Sequence, residues 1–156
     1  MLKMYLQMKT ILIFLLIVLG TMACQQSVSS DSVALSDSFM LTKQATVLLN
    51  TGTQKIVVQL TDINESRCLG TNIVCVWEGE LNLKVKLGDN QVEVIGQGGS
   101  LDNPNAIQQK NKAETIIQGT TYAVLLDKIE IKNPDKTNIA NTPKENYKVW
   151  IKVIKK

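Results

Sequence analysis

From Phe39 onward apolar and polar residues alternate with a period of two, the spacing that places one set of side chains on a single face of a β-strand. Phe39 to Leu49 predicts one or two short strands, closed by Asn50-Thr51-Gly52-Thr53, a turn by composition. Lys55 to Asp62 predicts the next, with Ile56, Val58 and Leu60 sharing a face. The clearest half-buried strand holds Leu81, Leu83, Val85 and Leu87 against Asn82, Lys84 and Lys86, and Gly88-Asp89-Asn90 turns it into Gln91 to Ile95 as a hairpin. Glu114 to Gln118 and Thr121 to Lys132 predict two more. In the second, Tyr122, Val124 and Leu126 keep phase until Asp127-Lys128 shifts it, as a β-bulge would. Tyr147 to Ile154 ends the pattern, with Tyr147, Val149, Ile151 and Val153 on one face and Lys148, Trp150 and Lys152 on the other. Gly96 to Asn105 reads as a loop, Ala106 to Ala113 as loop or a short helical turn, and Asn133 to Asn146 as a long loop with Pro134 and Pro143. About seven to eight strands and no amphipathic helix of three turns predict one all-β domain over 38–156, an antiparallel β-sandwich or barrel.

The chain before this domain follows other rules. Lys3 and Lys9 precede the apolar run Ile11 to Leu19, whose nine residues fall far short of the ~20 that span a bilayer. Residues 1–23 therefore predict a secretory signal, with Met8-Lys9-Thr10 as an alternative start. Residues 24–37 are small and polar and predict a flexible tether. Without Lys3 and Lys9, 15 basic residues face 14 acidic ones, so nothing in the charge balance points to nucleic acid.

Thr21-Met22-Ala23-Cys24 resembles the lipobox of bacterial lipoproteins, in which the cysteine is lipidated and becomes the first mature residue. A plain secretory signal with an incidental cysteine is the alternative. The resemblance implies a lipid-anchored protein of the bacterial cell envelope, on the outer membrane or the periplasmic face, and assigns Cys24 to lipidation. It also leaves Cys68 and Cys75, the other two of three cysteines, as an even pair for a disulfide. Closing that eight-residue loop contributes ~2.5 kcal/mol in the chain-entropy picture.

Candidate chemistry is sparse. The chain has no histidine, which removes the commonest general base and most zinc sites. Glu78 and Glu80 would share a face if they lay on a strand, as a pair of glycosidase carboxylates requires, but aromatics at 4% leave little to line a sugar site. Asp89-Asn90, Asp102 to Asn105 and Asp135 to Asn138 offer oxygen ligands without the spacing of a calcium loop, and ordinary turns account for them better. Gly96-Gln97-Gly98-Gly99 lacks a Walker motif. It is similar to the Gly-x-Gly-Gly loop of chagasin-like cysteine-protease inhibitors; a hairpin exit needing positive φ is the plainer account. No cofactor, no metal site and no catalytic residue is expected.

The segment around the two later cysteines holds the only arginine, Arg67, and one of two tryptophans, Trp77. One reading has the disulfide present Arg67, Leu69 and Asn72 as a rigid loop to a protein partner, with Gly98 and Gly99 of the glycine loop as further candidate contacts. The other, which we favour, has Cys68–Cys75 corner the chain between strands, Trp77 fill the core, and Arg67 pair with Glu65 or Glu78. Ser66-Arg67-Cys68 followed by Cys75-x-Trp77-x-Gly79-Glu80 resembles a Ser-Arg-Cys…Cys-x-Trp-x-Gly-Glu signature of small secreted bacterial proteins and lipoproteins. That resemblance covers roughly Lys55 to Ile154 and implies fold and compartment rather than activity. It assigns Trp77 and Gly79 to the structural core of the motif.

The expected function is thus a non-enzymatic envelope lipoprotein that binds another macromolecule, most concretely a protease inhibitor acting through exposed loops. The alternatives are a structural or assembly lipoprotein using a sheet face, with Trp150 on a basic edge, and a carboxylate-dependent hydrolase using Glu78 and Glu80.

Overall fold

The alternating segments form strands whose apolar side chains meet between two sheets, a β-sandwich, in a computed structural model that describes residues 28–71 and 73–156. The strands are β1 Val28–Ala34, β2 Ser38–Leu41, β3 Thr46–Asn50, β4 Lys55–Glu65, β5 Leu81–Leu87, β6 Asn90–Gln97, β7 Gln109–Lys110, β8 Lys112–Ile117, β9 Thr120–Ile131 and β10 Tyr147–Lys155. One sheet has the order β1-β3-β4-β5-β6-β7, the other β2-β10-β9-β8. Phe39, Leu49, Val58, Leu83, Val124 and Val149 are among the side chains that fill the space between them. Burial of this kind contributes about 25 cal/mol for each Å2 of apolar surface removed from water and is the main force holding the sheets together.

Two elements differ from expectation. Residues 28–34, read as part of a tether, form β1 and run parallel to β3, the one parallel ladder among the described residues. Their composition carries no strand pattern; the edge of β3 offers unpaired backbone groups that an adjacent segment can satisfy. The signal segment and residues 24–27 of the tether, Cys24 among them, lie outside the described residues. The stretch Ala106 to Ala113 holds the two-residue β7 and then the start of β8, so the chain changes sheets at Asn111. Asn111 fastens this crossing by donating its backbone N–H to the Ile95 carbonyl at 3.0 Å and accepting the Ile95 N–H on its side chain.

Bulges set the phase of the two longest strands. Asp127 is the extra residue of β9, because Trp150 pairs with Lys128 and Ile151 with Leu126. In β4, Leu60 pairs with Val85 and Asp62 with Lys84, so Thr61 is extra, and its hydroxyl donates to the Lys84 carbonyl at 3.0 Å. Before Thr61 the inward residues are even-numbered, Ile56, Val58 and Leu60; after it they are Ile63 and Glu65. One inserted residue thereby turns a carboxylate into the core.

Tight turns close one end of the sandwich. Gly88 takes φ +59° as the first of two residues between β5 and β6, and Gln118-Gly119 takes φ +48° and +77° between β8 and β9, the positive-φ geometry that two-residue hairpin loops demand. The long connections 66–80, 98–108 and 132–146 gather at the other end, where Thr71 N–H donates to the Lys136 carbonyl and Ile139 N–H to the Leu69 carbonyl. Short single turns of 3-10 helix, Ile139–Asn141 and Lys144–Asn146, shape the third of these loops.

Candidate functional site

The loop end is built on Glu65 and Arg67. Glu65 points inward because of the Thr61 bulge, and Arg67, two residues on, is only 1% exposed. Arg67 Nε and Nη2 donate to the Glu65 carboxylate at 2.9 and 2.7 Å, a bidentate pair. Arg67 Nη1 donates to the carbonyls of Gly98 and Pro104 at 3.1 and 2.8 Å, and Tyr147 Oη donates to Glu65 Oε2 at 3.3 Å. One guanidinium therefore ties the end of β4 to the 98–108 loop, and its carboxylate partner ties both to the first residue of β10. Burial and the nearby Glu65 charge raise the Tyr147 phenol well above its ordinary range.

That shift has a sign that can be measured. The folded chain keeps a phenol proton that the unfolded chain releases near pH ~10, so this contribution is whole below pH ~10, shrinks steadily as pH rises above it, and is gone only past the raised value of the folded chain. Tyr147→Phe removes the group. Its melting temperature is expected to fall less steeply than that of the unsubstituted protein above pH ~10; parallel slopes would count against the assignment.

Beyond Arg67 the chain leaves the sheet and returns to it at β5. Cys68 and Cys75 are joined, with Cα atoms 5.9 Å apart. Ser66 and Cys68 N–H groups donate to the Glu80 and Glu78 carbonyls, both at 2.8 Å, so the outgoing and returning arms are laced together. Gly79, at φ +69°, sits so close that a Cβ would lie 1.9 Å from the Ser66 carbonyl oxygen. Gly79→Ala meets both that collision and a left-handed backbone and is expected to cost more than about 1 kcal/mol, read from a denaturant midpoint.

Between these arms the chain presents apolar side chains to solvent. Val74 is 95%, Val76 94% and Trp77 59% exposed. The ridge they form has a cleft on each side. One, of about 400 Å3, is lined by Leu69, Val76, Trp77 and Glu78 with Gly98 and Gly99 opposite. The other, of about 350 Å3, is lined by Ser66, Ile73, Val74 and Trp77 with Asn138 and Ala140 opposite.

The expected site residues separate accordingly. Arg67 is not presented to a partner; its donors are spent internally, on Glu65 rather than Glu78. Leu69 is half-buried and packs against the core. Gly98 and Gly99 line the first cleft, but their φ of +100° and +101° and the Gly98 carbonyl serve the Arg67 bond, as a structural turn would. Gly79 holds the structural place expected of it. Trp77 does not: the residue expected to fill the core stands outside it, because the arms at Ser66–Glu80 already close the sheet end and turn the segment 73–77 outward. Asn72 lies outside the described residues. Val74 and Val76 were missed. The apolar run Ile73-Val74-Cys75-Val76-Trp77, with no polar face to alternate against, was the signal that could have found them.

Other candidate chemistry disperses. Glu78 and Glu80 lie beyond any strand, flank Gly79, and open to different clefts, Glu80 facing one of about 300 Å3 with Gln97, Gln109, Lys110 and Asn111. They do not form a pair across one cleft. Asp135 Oδ1 accepts from the N–H and hydroxyl of Thr137 at 2.8 and 2.6 Å, which stabilises its charged form and lowers its pKa. These bonds make the stretch Asp135 to Asn138 an Asx turn. No cluster of three or more His, Cys, Asp or Glu able to hold a metal occurs among the described residues. Trp150 is half-buried beneath Lys128, whose Nζ lies 4.8 Å from the ring centroid, and β10 lies between β2 and β9 rather than at an edge.

No protein family, characterised protein or solved structure matches this chain in comparison with those known.

Proposed function

We propose that this is a non-enzymatic lipoprotein of the bacterial cell envelope, anchored through Cys24, that binds a protein partner with the ridge Val74–Trp77, most concretely as a protease inhibitor. The observation that carries the reading is the exposure of Val74, Val76 and Trp77 on a segment fixed from both sides. The disulfide holds one side and the Ser66–Glu80 and Cys68–Glu78 hydrogen bonds hold the other. A stiff, convex, apolar wedge loses little conformational freedom on docking, and a tryptophan at its foot is the kind of anchor that dominates interface energy. The clefts on either side accept the walls of the groove into which the wedge fits. A protease substrate groove has that shape. The contact is assigned to the ridge rather than to Arg67 and Leu69, which the fold uses internally.

The test is inhibition. The full chain is mixed with serine, cysteine and metalloproteases and residual peptide cleavage is measured. Saturable inhibition of at least one class is expected, relieved by Trp77→Ala; cleavage unchanged for every class sinks the inhibitor reading.

A further inference from the structure

We infer that the outer face of the four-stranded sheet is a docking surface for an anionic phospholipid bilayer. Ladder register places Met40, Trp150 and Lys128 side by side across β2, β10 and β9 on that face, and Lys152, Leu125 and Lys112 in the next row. Met40 is 44% exposed, and Lys128 extends over the Trp150 ring at 4.8 Å. The result is a surface with an apolar, aromatic centre and ammonium groups around it. That is the composition of an interfacial binder, in which rings and methylenes enter the headgroup layer while charges remain in water.

Charge complementarity selects the lipid. Residues 28–156 hold 15 basic and 14 acidic side chains; this face has five lysines (112, 128, 148, 152, 156) against Asp127, Glu114 and Glu130, leaving ten basic and eleven acidic elsewhere. The positive charge of the domain is thus concentrated here. The acids on the face are already engaged. Glu114 pairs with Lys112 at 3.3 Å and Lys156 at 2.5 Å, Glu130 with Lys148 at 3.5 Å, and Asp127 accepts from the Ser38 hydroxyl at 2.7 Å. Lys128 and Lys152 have no carboxylate within 4.0 Å among the described residues.

The path of the chain brings this face to the membrane, a step that rests on the proposed anchor at Cys24. Strand β1 begins at Val28, four residues beyond Cys24, so at most ~14 Å of chain separates them. Val28 pairs with Thr46, just past the turn at Thr42–Ala45 that leads out of β2. A lipid on Cys24 therefore holds the β2 edge, and with it the Met40–Trp150–Lys128 row, next to the headgroups.

The experiment uses the full chain carrying Trp77→Phe, which leaves Trp150 as the single tryptophan of the original two. It is reconstituted with vesicles of phosphatidylcholine, or of phosphatidylcholine mixed with phosphatidylglycerol, each doped with a headgroup spin-labelled lipid that quenches nearby tryptophan. Trp150 quenching is expected to be roughly twofold stronger on the anionic vesicles. Molar salt and Lys152→Glu, which keeps both Trp150 and Lys128, should both reduce it to the neutral-vesicle level. Equal quenching on both vesicles, or quenching on neither, overturns the proposal. Flotation separates the two ideas: failure to float with neutral vesicles refutes the anchor alone, and charge-dependent quenching then still supports the face.

Discussion

Arg67→Met will lower the free energy of unfolding by about 3–5 kcal/mol, the largest single-site effect expected in this protein. The side chain is 1% exposed, and its loss leaves the Glu65 carboxylate buried with only the Tyr147 hydroxyl at 3.3 Å and the Arg67 backbone N–H at 3.0 Å to stabilise it. The carbonyls of Gly98 and Pro104 lose their donor in the same step. Breaking a buried pair from one side costs far more than the pair itself contributes, because the remaining charge has no water to return to. The double variant Glu65→Leu/Arg67→Met removes both charges and is expected to regain much of the loss. Urea titration of both variants decides the matter. A drop below about 1 kcal/mol for the single variant would mean that the network is hydrated and contributes little.

Trp77→Ala should behave in the opposite way. The side chain is 59% exposed and belongs to no part of the core, so the unfolding midpoint should stay within about 0.5 kcal/mol of the unsubstituted protein. Affinity for a protease that the full chain inhibits should fall by about 2 kcal/mol or more, roughly 30-fold, as for a tryptophan at the centre of an interface. The two substitutions lie ten positions apart in the same segment and so separate its two functions. Arg67 holds the loop end together, and Trp77 is the residue proposed to meet the partner. Lost stability in Trp77→Ala, or unchanged inhibition, would place the tryptophan back among the structural residues.

Most of the strand plan was legible. Period-two alternation located β4, β5, β6, β9 and β10 to within a few residues, and the phase change at Asp127-Lys128 foretold the bulge found there. Strand β1 was not legible, since its backbone is ordered by the edge of β3 and its polar sequence contributes no pattern. The loop end was legible in content but not in sense. Rare residues marked the right segment, yet the tryptophan was assigned inward and the arginine also considered outward. Size and apolarity argue for burying an indole and exposing a guanidinium. That prior holds only when nothing else satisfies the buried charge.

Alternation and cysteine count, which are local or compositional properties, were enough to specify an all-β chain, the faces of its main strands and the two cysteines that form the staple. Tertiary structure alone decided which way the segment around Arg67 faces. The unannounced bulge at Thr61 rotates Glu65 inward, where two loop carbonyls and a tyrosine distant in sequence complete the partners that a buried arginine and carboxylate need. With the interior of the loop end occupied by that network, Val74, Val76 and Trp77 are left to the solvent, and to whatever covers them.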